Sequence, residues 1–148
     1  MAAGRAMTER PDLFATAILQ VGLLDAVRMI VASQNGPNHL IEMGDVKTEA
    51  GVKQLLAMSS YHNVRSGTAY PATMVITGMN DNRVDPWMSF KMAARLQAAS
   101  TSDNPVLLRV DDKAGHGMTS TTQQRNAMLA DMLAFHLWQS GDPAFQPK

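Results

Sequence analysis

The strongest constraint in this 148-residue chain is a threefold alternation of short apolar runs with longer helical patterns. Ala15–Val21 is apolar, opens after Pro11-Asp12 and stops at Gly22, which are the bounds of a buried strand. Ala72–Thr77 is rich in β-branched residues and closes at Gly78, and Pro105–Val110 supplies a third apolar run. Helical patterns follow each strand. Asp25 is placed to cap Ala26–Ala32, which the polar residues 33–38 end, and Thr48 to cap a helix through Met58 with Val52, Leu55 and Leu56 on its apolar face. Asp85-Pro86 stands at the start of Trp87–Ala99, whose Met88, Met92 and Leu96 share one face. Ser120-Thr121-Thr122-Gln123 matches a capping box before a helix to about Gln139, with Leu129, Met132 and Leu133 as its buried stripe. Strands separated by helices of roughly ten or more residues pair in parallel through right-handed crossovers. The expected fold is therefore α/β: three βα units forming a parallel sheet covered by helices, in one domain over residues 1–148.

Composition narrows the function. Thirteen basic residues balance thirteen acidic ones, so no net field gathers nucleic acid or an anionic membrane surface, and neither is expected as a partner. With no cysteine the chain has no disulfide, thiolate metal site or cysteine nucleophile, and the cytoplasm is the default compartment. No apolar run approaches the roughly 18–20 residues that span a bilayer. The twelve methionines lie mostly in apolar stretches, where a flexible thioether fills core gaps.

In open α/β sheets ligands bind beyond the carboxyl ends of the strands, so the loops at residues 78–86 and 111–117 are the ones to inspect. The first carries Asp81 and Arg83, the second His116 between Gly115 and Gly117. An Asp and a His on consecutive strand ends suit a carboxylate that fixes an imidazole tautomer while the other ring nitrogen takes a proton from a nucleophile. Taken alone, such a pair more often marks satisfied surface residues than a catalytic site. Asp111 and Asp112 have no second histidine at ligand spacing, so no metal is expected, and no cofactor either. His62 is read as a hydrogen-bonded turn residue and His136 as a packing or boundary residue of the last helix.

Five segments raise the catalytic reading. Arg10-Pro-Asp-Leu-Phe, Gln20-Val21-Gly22, Tyr61-His62-Asn63-Val64, Asp81-Asn82-Arg83-Val84 and Ala114-Gly115-His116-Gly117 together resemble, in order and spacing, the prolyl oligopeptidase family of serine hydrolases. The resemblance covers nearly the whole chain and implies the C-terminal part of an α/β-hydrolase catalytic domain, acting on a peptide or ester. It implies Asp81 as the triad acid, His116 as the general base and Arg83 as the arginine that holds a substrate carbonyl or carboxylate. It also implies a nucleophile elbow, Gly-x-Ser-x-Gly-Gly, about thirteen residues before the Arg-Pro-Asp-Leu-Phe segment. Only nine residues precede Arg10, so that serine is expected to fall before Met1, together with one oxyanion donor. Losing the nucleophile of a triad costs on the order of a millionfold, so the chain alone is expected to be nearly inert. Where prolyl-specific members carry a tryptophan, counting back from Gly44 gives His39, which argues against proline preference.

Two other readings stay open. A small esterase could recruit Ser33, Ser59, Ser60 or Ser120, although none lies in a Gly-x-Ser-x-Gly context. A non-catalytic binding or assembly module is the other, since an open sheet edge invites pairing with a second copy, making a homo-oligomer the expected state. The periplasm is the alternative compartment for a full-length parent.

Overall fold

The computed structural model describes residues 1–117 and 121–147. Its elements run α1 (Ala2–Glu9), β1 (Thr16–Gln20), α2 (Ala26–Ala32), α3 (Leu40–Met43), α4 (Glu49–Met58), β2 (Ala72–Gly78), α5 (Trp87–Ala99), β3 (Val106–Asp111) and α6 (Thr122–Gln139). The three strands form one parallel sheet in the order β1-β2-β3, with Ala17 opposite Thr73 and Thr73 opposite Val106. This is the α/β architecture that the alternating pattern required. Each strand lies within one residue of its expected bounds.

Strand β2 is buried along its whole length because helices cover both of its faces. Val75 on one face joins Leu19, Met29, Leu55, Met88, Met92 and Leu96 in the larger cluster. Ala72, Met74 and Ile76 on the other face pack with Phe135, and Ile18, Met128, Met132 and Trp138 lie against them. The alternation follows from the pleat, which sends successive side chains to opposite faces. Met7, Met29, Met43, Met74, Met88 and Met92 are all buried, in keeping with the thioether's use as core filler.

The helix starts show where local chemistry was read correctly and where it was not. The Asp25 carboxylate accepts from the Arg28 N–H at 2.9 Å, and the Thr48 hydroxyl accepts from the Gly51 N–H at 3.0 Å, so both expected caps form. Asp85 does not cap α5 with its side chain: Pro86 holds the cap position, and Met88 N–H reaches the Asp85 backbone carbonyl instead. The capping box of α6 sits one residue later than expected. Thr121 Oγ1 accepts from Gln124 N–H, and the Gln124 amide oxygen accepts from Thr121 N–H. Ser120, the first residue of the expected box, lies outside the described residues.

The buried stripe expected on α6 holds at Met132 and is corrected at Leu129 and Leu133. Leu129 and Leu133 are about half exposed, at 52% and 54%, whereas Phe135 is buried and Met128 and Met132 pack beside it. Spacing alone leaves the stripe's phase free by one position, because both sets have helical periodicity. The polar residues 33–38 that end α2 lead into a 3₁₀ turn, Gly36–His39, which is followed by the short α3.

Truncation in α6 should separate the two sets of residues. Phe135→Ala should lower unfolding free energy by about 3–5 kcal/mol in urea titration, and Leu133→Ala should stay within about 0.5 kcal/mol of the parent.

Candidate active site

The site begins at the last rung of the β2–β3 ladder, where Gly78 stands opposite Asp111. A side chain at Gly78 would lie 2.3 Å from the Ala114 carbonyl oxygen and 2.7 Å from that of Gly115, so only glycine lets the two loops meet. Beyond it, Met79 N–H donates to the Asp111 carbonyl at 2.9 Å, Asn80 N–H to that of Ala114 at 3.0 Å, and the Asn80 amide to that of Asp112 at 3.2 Å. The loops after β2 and β3 are thus zipped together by backbone before any site side chain is placed.

That zipper sets Asp81 against His116. Asp81 Oδ2 lies 2.8 Å from His116 Nδ1, and Oδ1 accepts from the Arg83 and Val84 N–H groups at 2.9 Å each. The Asp81 side chain has no solvent exposure, while that of His116 keeps 24%. A carboxylate is an acceptor only, so its partner Nδ1 carries the proton and a neutral ring presents Nε2 as the basic nitrogen. Buried orienting acid, fixed tautomer and half-open base are what proton abstraction from a hydroxyl demands.

The His116 loop is braced from below by Asp111, whose Oδ1 accepts from the N–H groups of Lys113 at 3.0 Å and Ala114 at 2.9 Å and from the Gln124 amide at 3.2 Å. These bonds, the Lys113 N–H foremost, hold its carboxyl below the usual aspartate range, aided by Arg109 and opposed by burial. Gln124 also closes the capping box of α6, so one side chain ties the start of that helix to the end of β3.

A cleft of about 540 Å³ opens beside His116. Asn82 and Arg83 line it from the first loop, and Asn35, Asn38 and His39 from the segment after α2. Its apolar contribution is limited to Leu23 and Val84. Asn35 is fixed there by donating its amide to the carbonyls of Asn82 at 2.9 Å and Arg83 at 3.2 Å. Asp81, His116 and Arg83, the three residues expected at the site, are therefore brought together. His39 joins them from a distant part of the sequence. Asn35, Asn38 and Gly78 were not foreseen, because a polar loop residue carries no local signal of a bond made 47 positions away.

The serines considered as surrogates do not join the site. Ser33, Ser59 and Ser60 are buried. Ser33 Oγ accepts from Asn35 N–H, and Ser59 Oγ lies 2.8 Å from His62 Nδ1. Ser120 falls outside the described residues. His62 sits in the 3₁₀ turn Tyr61–Asn63, and His136 Nδ1 lies 3.0 Å from Thr16 Oγ1 on β1. Among the described residues no group of three His, Cys, Asp or Glu side chains could hold a metal ion.

Comparison with known proteins agrees with this architecture. Residues 1–142 match the prolyl oligopeptidase family. A prolyl endopeptidase of Elizabethkingia meningoseptica is 40% identical over 139 residues, which are 93% of this chain and 20% of that protein. A structure from a study of two prolyl endopeptidases superposes with a TM-score of 0.83 at 34% identity, over 99% of this chain and 20% of the other. Oligopeptidase B from Leishmania major superposes with a TM-score of 0.86 at 27% identity, over 92% of this chain and 19% of the other. The chain belongs to the prolyl oligopeptidase family and has a partial α/β-hydrolase fold. It spans about a fifth of the length of these relatives.

The lowered pKa of Asp111 gives a directional test. Its bonds favour the ionised form, so the support it lends the His116 loop is complete above the usual aspartate range and fades as pH falls through its lowered pKa. Carboxyl-detected NMR titration should place its midpoint below that range, and Asp111→Asn should remove this part of the acid dependence of stability.

Proposed function

We propose that this chain supplies the acid and the base of a serine hydrolase that cleaves peptide or ester bonds by acyl transfer to water. Asp81 orients His116, whose Nε2 takes the proton of a serine hydroxyl as that oxygen attacks the carbonyl carbon. His116 then returns the proton to the leaving amine or alcohol, and the second half-reaction repeats the exchange with water. Arg83, on the cleft wall next to this pair, holds a carbonyl or carboxylate of the bound substrate. The observation that carries this reading is the 2.8 Å contact between a sealed Asp81 and a partly open His116. The nucleophile in this reading comes from a Gly-x-Ser-x-Gly turn, a context no serine of this chain has.

A chimera tests it. This chain should replace the corresponding fifth of the Elizabethkingia prolyl endopeptidase, and peptide and ester hydrolysis should be followed. His116→Ala should cost at least about 10⁴-fold in kcat, Asp81→Asn on the order of 10⁴-fold, and Arg83→Ala should act mainly on KM. Retained activity in the His116 variant would overturn the assignment. Intact-mass analysis of the 148-residue chain with a fluorophosphonate should show no adduct.

A second reading, assembly of copies through the sheet, is favoured by one observation: among the described residues β1 and β3 are each paired on one side only, to β2, and Leu107, Leu108 and Val110 of β3 are partly exposed. Unpaired edges of this kind recruit a further strand. Light scattering coupled to gel filtration should show dimers or larger species of the isolated chain, and a strictly monomeric chain would rule this reading out.

A further inference from the structure

We propose that Asn35 is a positioning residue for the pair of Asp81 and His116, acting through the two peptide groups that hold the Asp81 carboxylate. The inference rests on the proposed role of that pair and adds a residue, distant in sequence, on which its geometry depends. Asp81 Oδ1 accepts from the N–H groups of Arg83 and Val84 at 2.9 Å each. The carbonyls of these same two peptide groups are those of Asn82 and Arg83. Asn35 Nδ2 donates to both, at 2.9 Å and 3.2 Å. One side-chain amide thus grips from behind the two peptide units that grip the carboxylate from the front.

Peptide geometry makes this arrangement work. In a planar trans unit the N–H and C=O point in opposite directions. Two successive N–H groups that converge on one carboxylate oxygen therefore send their carbonyls to the other side. A primary amide carries two N–H donors, so it serves both carbonyls, and two acceptors at its nitrogen fix which way the amide faces. Hydrogen bonds in such a chain polarise one another, so donation to the carbonyls strengthens donation to Asp81 Oδ1. With Oδ1 held, Oδ2 stays 2.8 Å from His116 Nδ1. Asn82 and Arg83 are exposed residues, so without Asn35 water would satisfy their carbonyls but would not hold the peptides in place.

The support of Asn35 is itself firm. Its N–H donates to Ser33 Oγ at 3.3 Å, and its carbonyl accepts from Asn38 N–H at 3.1 Å. A side chain at Gly36 would lie 2.5 Å from the Ile30 carbonyl oxygen and 2.6 Å from that of Met29, so the turn sits directly on the end of α2. Met29 and Ile30 belong to the larger core cluster. The Asp81 loop is consequently fastened on both sides of the acid: Met79 and Asn80 to the loop after β3, Asn82 and Arg83 to Asn35. Loss of the second fastening leaves the loop attached but lets the carboxylate turn, which costs orientation rather than fold.

The test uses Asn35→Asp, which keeps the volume and exchanges the donor for an acceptor, Asn35→Ala, and Gln34→Ala, a change at the exposed neighbour. Long-range ¹H–¹⁵N NMR of the 148-residue chain, with the ring neutral, should show His116 as a single tautomer protonated at Nδ1. Both Asn35 variants should move its ring nitrogens towards a mixture of the two neutral tautomers while the β2 amides keep their positions, and Gln34→Ala should change neither. In the chimera with the Elizabethkingia enzyme, both Asn35 variants should lower kcat by about 10–100-fold and leave KM within about twofold of the parent. A His116 ring that stays in one tautomer, or an effect confined to KM, would overturn the inference and leave the hydrolase reading standing. Displaced β2 amides would make Asn35 a structural residue and overturn it as well. A chimera still active after His116→Ala would overturn the hydrolase reading instead, and the tautomer measurement would still decide the role of Asn35.

Discussion

The backbone contact between Gly78 and Ala114 is the constraint on which the rest of the site depends. Parallel pairing of β2 with β3 brings two loops to one sheet end, but a Cβ at residue 78 would force them apart. Because it is absent, three hydrogen bonds from Met79 and Asn80 lock the loops, and Asp81 and His116 inherit their spacing from that lock. The fold's two hydrophobic layers have the same logical place one level down: they hold β2 in the middle of the sheet, and β2 ends at Gly78.

Two buried carboxylates show how similar residue types reach different ends. Asp25 is sealed, caps α2 and pairs with Lys91, whose ammonium lies 4.1 Å from the centre of the Tyr61 ring. Ser59 and His62 stand close by, so the composition of a triad is present here as well. The order is not. Ser59 Oγ meets His62 Nδ1, the same nitrogen that faces Asp25 at 3.7 Å, and the hydroxyl is buried under the Leu24 carbonyl and the Ala26 N–H. With serine and acid on one ring nitrogen, the histidine cannot relay between them, and the cluster serves to join α2, the 3₁₀ turn and α5. At Asp81, among the described residues, no serine shares His116 Nδ1 with the acid, and the histidine lines the cleft.

What the sequence made legible follows from the range of the forces involved. The three strands and α2, α4, α5 and α6 were readable because hydrophobic periodicity and capping are local, and the caps at Asp25 and Thr48 form as their residue types require, whereas α1 and α3 were not foreseen. Asp81 and His116 could be singled out because strand ends in a parallel sheet define where loops converge. The failures were failures of phase and of distance. Leu129 and Leu133 fit a helical stripe as well as Met128 and Phe135 do, and only the sheet's surface chooses between them. Asn35 gives no sign in the sequence of the bonds that join its loop to the Asp81 loop.

Because the two loops are fastened by main-chain bonds at the end of the central ladder, the integrity of the pair is tied to the most protected part of the chain. The Met79 and Asn80 amides continue the hydrogen bonding of β2 past its last residue, so drawing the two loops apart breaks bonds at the end of the sheet. A scaffold built this way ties the spacing of the Asp81 and His116 loops to the end of the central sheet, not to the loops' own surface contacts.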